Sequence, residues 1–60
     1  MAVRHLTSEE LSERLGIPVA TLKRWRRTGY GPKFIRIGKH IRYRLIDIEA
    51  WEITQLVPAT

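Results

Sequence analysis

The residues of this chain best equipped for chemistry are cations. Lys23, Arg24, Arg26 and Arg27 crowd together beside Ala20 and Thr21. At helical spacing Ala20, Lys23, Arg24 and Arg27 follow an i, i+3, i+4, i+7 stripe. Guanidinium and ammonium groups on one helix face grip phosphate oxygens and the acceptor edges of guanine. Ala20 lets the backbone come close, and Thr21 lies near the helix start with a hydroxyl for a base edge or a phosphate. A merely solvated cationic face would intersperse glutamates, and no Asp or Glu occurs from Arg14 through Ile46. A second group, Lys39, His40 and Arg42, surrounds a Gly-X turn and suits backbone phosphates or an adjacent minor groove. Arg26 and Arg36 are further candidates for phosphate contact, whereas Arg14 reads as a surface residue.

Catalytic readings have less to stand on. Ser8 and Ser12 lie on a helix that uses Thr7 for its cap, and neither His5 nor His40 has a partner acid near it in sequence. Two histidines without a cysteine make no zinc site. Glu9, Glu10 and Glu13 on one short helix read as solvated carboxylates rather than an acid/base pair. The expectation is a binding protein with no enzymatic activity, no metal and no cofactor.

Charge carries the same message over a longer range. Eleven Lys and Arg against six Asp and Glu give a net charge of +5 and a pI near 10.5. Ten of the eleven cations lie in the acid-free stretch, and the acids flank it. Such segregation builds one positive face and points to a polyanion, most often nucleic acid. A membrane role is disfavoured, because Leu22 and Trp25 are needed inside and leave the basic helix no apolar face to insert. RNA binding lacks an aromatic-rich strand surface for base stacking.

Elements must hold these cations, and 60 residues allow one domain, 1–60, with 57–60 read as a frayed tail. No cysteine is present to staple so small a core. The segment Met1 to Leu6 has no apolar run of the kind a signal peptide needs, so a cytoplasmic home is expected. Thr7-Ser8-Glu9-Glu10 predicts a capping box, with Leu6 and Leu11 as its hydrophobic staple. Leu11 and Leu15 form a buried stripe, and Gly16 ends this first helix. After Gly16-Ile17-Pro18 a second helix is predicted over about Val19 to Thr28, with Leu22 and Trp25 turned inward and Gly29 as its stop. Helix, short glycine-containing turn, helix is the spacing of a helix-turn-helix. Lys33–Ile37, Gly38-Lys39 and His40–Arg44 predict a β-hairpin, a wing beside that unit. A third helix is expected from about Ile46 to Gln55, packing through Ile48 and Trp51, with Glu49 and Glu52 facing water. Ile46, Ile53 and Leu56 exceed what so short a helix needs. They read as core closure first and as a protein-contact surface second.

Taken in order, Leu6-Thr7-x-Glu9-Glu10-Leu11, Leu15-Gly16-Ile17, Thr21-Leu22-x-Arg24-Trp25, Gly31-Pro32, Arg36-Ile37-Gly38, Arg42-Tyr43-Arg44 and Asp47-x-Glu49-Ala50-Trp51 resemble the excisionase-type winged helix-turn-helix domains, relatives of the DNA-binding domains of MerR-type regulators. The likeness covers nearly the whole chain. It departs from the family at Ser12, where Ala is usual, and at Ile46, where a polar cap is usual. The resemblance implies an α+β fold, a small winged helix-turn-helix with a hairpin wing and a third helix. It also implies a phage recombination directionality factor. Such a protein binds and bends attachment-site DNA in the bacterial cytoplasm and helps a phage integrase excise a prophage, while disfavouring integration. The alternative is a small transcriptional regulator of a phage or mobile element. The sixteen residues after Arg44 are too few for a coiled-coil seam. The expected partners are therefore double-stranded DNA carrying direct repeats, neighbouring copies of the protein on it and the integrase, with no small-molecule effector.

Overall fold

A computed structural model describes residues 3–59. The elements run β1 (His5–Leu6), α1 (Ser8–Leu15), α2 (Val19–Thr28), β2 (Ile35–Ile37), β3 (His40–Arg44) and α3 (Leu45–Thr54). Together they form a small α+β winged helix-turn-helix.

The start of α1 follows from its first residues. The Glu10 amide donates to Thr7 Oγ1 at 3.0 Å, and the Thr7 amide donates to Glu10 Oε1 at 2.9 Å. Those bonds satisfy two helix-end donors at once and favour the ionised Glu10 carboxylate, whose pKa lies below its usual value chiefly through the Thr7 backbone bond. Gly16 closes the helix in the left-handed region, and both its amide and that of Ile17 donate to the Ser12 carbonyl. Ser12 Oγ in turn donates to the Ile17 carbonyl. Ser12 thus ties down the turn of the helix-turn-helix.

The sheet has the order β1-β3-β2, and both pairings are antiparallel. Its β1 strand was not expected, since two residues carry no period to read. It exists because Leu6 lies opposite Tyr43, and because the Leu45 amide donates to the Arg4 carbonyl at 2.9 Å. The hairpin is shorter than its sequence suggests. Lys33 and Phe34 precede the strand as irregular chain, following the buried Pro32. Phe34 lies beside the Tyr43 ring, with centroids 6.2 Å apart.

Each element except β2 sends one side chain to the centre: Leu6, Leu11, Leu22, Tyr43 and Ile48 are buried. Leu15, Ile17, Trp25, Ile41 and Leu45 pack around them, half-buried. Trp25 turns inward as its spacing predicts and packs half-buried at the edge of this core. There it meets Tyr30 edge-on at 4.9 Å and Trp51 at 5.7 Å. Gly31 has φ +93°, and a Cβ placed on it would come within 2.9 Å of Trp25 Cε3, so the loop after α2 presses its backbone directly onto the indole.

The third helix requires two corrections. It begins one residue early, at Leu45, with Arg44 at its N-cap and no side-chain capping hydrogen bond. Ile46, Ile53 and Leu56 do not close the core: they are 55%, 67% and 74% exposed. Ile46 and Ile53 are seven apart and share the helix face turned from Ile48, which alone reaches the filled centre. Val57 through Ala59 carry no helix or strand. Thr60, the rest of the expected tail, lies outside the described residues, as do Met1 and Ala2 of the segment read for a leader.

Candidate nucleic-acid interface

Between α2 and the hairpin lies an open cleft of about 420 Å³, lined by Lys23, Arg26, Arg27, Phe34, Arg36 and Ile41. One wall is helical. Ala20, Lys23, Arg24 and Arg27 are exposed along α2, while Leu22 is buried on the opposite side and Thr21 is half-buried between them. The helix thus separates its faces as the spacing predicts. Its N-terminus carries no acid in the first turn and no side-chain cap, since Pro18 precedes it. The positive end of its dipole is left unneutralised, as suits a site for anions.

The other wall is the hairpin, and strand alternation decides which of its cations belong there. Arg36 pairs directly with Ile41, so the two share the face that looks on α2. Arg42 pairs with Ile35, and His40 pairs with Ile37, on the opposite face. Lys39 occupies the exposed turn beyond Gly38. The structure therefore brings Arg36 together with Lys23 and Arg27 and separates His40 and Arg42 from them. A step of one residue along a strand reverses the face, so cations that are neighbours in sequence at the hairpin do not all look toward α2. Arg42 further turns one guanidinium nitrogen back to the Ile41 carbonyl at 2.7 Å.

Arg26 is engaged differently from its neighbours. Its Nη1 donates to Tyr43 Oη at 2.8 Å and to Ser8 Oγ at 3.2 Å. The guanidinium carbon stands 5.9 Å from the Phe34 centroid and 6.0 Å from that of Tyr43. A basic residue among basic residues gives no sequence sign of this inward attachment.

Two other cations are neutralised by acids. Arg14, expected only to face solvent, forms a bidentate pair with Glu52 at 2.7 and 2.8 Å, joining α1 to α3. Glu52, expected to face water, is half-buried, and the Arg14 bond holds its carboxyl below the usual range. Arg44 binds Asp47 at 2.7 Å, lowering the Asp47 pKa in the same way. Among the described residues these are the ion pairs, so Lys23, Arg24, Arg27, Arg36 and Lys39 keep their charge unpaired.

The family model for the helix-turn-helix domain matches residues 6–52, from β1 into α3. The chain belongs to the helix-turn-helix domain family. That family includes excisionase-like DNA-binding proteins. In helix-turn-helix domains the second helix is the one that enters the major groove, and here it is α2 that carries the exposed cations. No curated protein matches the chain. Among the described residues no group of three His, Asp or Glu side chains converges to hold a metal ion, and no helix is long and apolar enough to cross a membrane.

Proposed function

We propose that this helix-turn-helix protein is an excisionase, a non-catalytic accessory factor that binds and bends attachment-site DNA so that a phage integrase excises the prophage and integration is disfavoured. The observation that carries the DNA-binding part is the cleft in which Lys23 and Arg27 of α2 face Arg36 of the hairpin with no acid among its lining residues. The recombination role rests on the ordered resemblance of the chain to excisionase-type domains.

In this reading α2 lies in the major groove. Ala20 permits close approach, Thr21 and Arg24 read base edges, and Lys23 and Arg27 hold phosphates at the groove margin. Arg36 reaches the backbone from the hairpin wall. Lys39 at the turn and His40 and Arg42 on the outer face follow the neighbouring backbone or minor groove. Copies fill adjacent direct repeats in the cytoplasm of the bacterial host and touch one another head to tail, which needs two different surfaces rather than a symmetric interface.

Two measurements test the reading in turn. Contact with about six phosphates gives log K against log salt a slope of about −5, and a flat response excludes a duplex partner. An in vitro excision reaction with the cognate integrase then separates recombination from transcription control. Excision that proceeds equally without the protein removes the excisionase role and leaves a small regulator of a phage or mobile element. Footprinting on attachment-site DNA, with circular-permutation bend analysis, maps the copies bound.

A further inference from the structure

We propose that Arg26 sets the angle between α2 and the hairpin and so acts as a positioning residue for sequence recognition, rather than as a phosphate ligand. The inference rests on the DNA-binding reading above and goes beyond it by giving the most inward cation of the recognition helix a separate task.

Four observations converge on Arg26. It is half-buried, while Lys23, Arg24 and Arg27 are exposed. One nitrogen bridges two hydroxyls from different elements, Ser8 at the start of α1 and Tyr43 on β3. Tyr43 is 2% exposed, so that acceptor is out of reach of any duplex. The guanidinium also lies near the Phe34 and Tyr43 rings, within the range of cation–π attraction. These contacts fix a planar, delocalised group whose donors have set directions, which a lysine does not reproduce.

The consequence is geometric. The chain's own link between α2 and β2 is the irregular stretch 29–34. Arg26 adds a cross-link from α2 to β3 within the cleft that the two elements line. Base readout needs both walls at a fixed separation, whereas phosphate binding tolerates a looser one. Loosening this clamp should therefore lower specific binding more than random binding.

The test uses a duplex selected from a random pool by the wild-type chain and a random-sequence duplex of equal length. Tyr43→Phe keeps the ring and loses only the acceptor. It should lower the specific-to-random affinity ratio roughly three- to tenfold, the upper end being about one whole ordinary hydrogen bond. The salt slope should stay unchanged. Arg26→Gln should lower the ratio similarly, and the double variant should be no worse than Arg26→Gln alone. A ratio unchanged in Tyr43→Phe overturns the proposal. So does an Arg26→Gln slope reduced by about 1 with the ratio preserved, the mark of a phosphate contact. Should Arg26→Gln not fold, Ser8→Ala removes the second acceptor and should shift the ratio in the same direction by less. Residual dipolar couplings on free Tyr43→Phe protein should report a changed angle between α2 and the hairpin, and an unchanged angle overturns the clamp without reference to DNA. Absence of any salt-dependent duplex binding by the wild type instead defeats the DNA-binding reading on which the inference rests.

Discussion

The two sides of this molecule use charge in opposite ways. On the side of α2 and the hairpin, Lys23, Arg27 and Arg36 surround one cleft and meet no carboxylate. On the side of α3, Arg14 is spent on Glu52 and Arg44 on Asp47. A paired cation adds little to the distant field, whereas unpaired cations around a concave wall reinforce one another and attract a polyanion. The difference teaches that a net charge of +5 understates the asymmetry, because the neutralised arginines and their acid partners all lie outside the cleft. The apolar surface is uneven as well. Ile46, Ile53 and Leu56 stand exposed on and after α3, away from the cleft, while the cationic face of α2 has no large apolar residue exposed.

The largest effect should come from removing what supports both sides. Trp25→Ala takes away an indole that contacts Tyr30 and Trp51 and packs on the core, a truncation of about 3–5 kcal/mol. That is comparable to the whole stability of so small a domain, so thermal unfolding should show no cooperative transition at room temperature. Persistence of a cooperative melt near that of the wild type would mean that the two sides are held together without the aromatic cluster.

Arg24→Ala sharpens the contrast between the sides next. It should cost about 1–3 kcal/mol of binding to a selected duplex and narrow the gap to random DNA, read by competition titration. Equal weakening on both duplexes would reassign Arg24 to a phosphate. Lys39→Ala should produce a smaller and uniform loss, lowering the salt slope by about 1. A loss confined to the selected duplex would make the wing tip a reader of sequence.

The smallest effect belongs to the opposite side. Asp47 and Glu52 have pKa values held below their ordinary 3.8 and 4.5 by their arginine partners. Each binds protons more tightly unfolded than folded, so the stability it lends is complete above those ordinary values and is lost as pH falls through the lowered ones. Melting temperature should therefore be level near neutral pH and decline on the acid side. Glu52→Gln should shallow that decline slightly and leave duplex affinity at neutral pH unchanged. A Glu52→Gln protein with altered affinity would break the separation between the sides.

Local signals were readable from the chain. The bounds of α1 and α2 follow from the Thr7–Glu10 capping box, the left-handed glycines Gly16 and Gly29, and the spacing of Leu11, Leu15, Leu22 and Trp25. The β-turn at Gly38-Lys39 is legible for the same reason: backbone preference within a few residues decides it. The β1 strand was not legible, because only the pairing of Leu6 with Tyr43 creates it. The surplus apolar residues of α3 misled, since composition counts them but only the packed centre shows that Ile48 had already filled their place.

The sequence by itself determined the acid-free basic stretch, the helix ends and the helix-turn-helix spacing, all of which depend on residue type and short separations. Only the tertiary structure decided which cations stay free. Arg14 finds Glu52 38 residues away and Arg26 finds Tyr43 17 residues away. The hairpin register turns Arg36 toward α2 and Arg42 from it. A guanidinium has the same charge and reach wherever it occurs along the chain. What it binds depends on the groups that folding carries to within hydrogen-bonding distance, and that placement is set by core packing and strand pairing rather than by its neighbours in sequence.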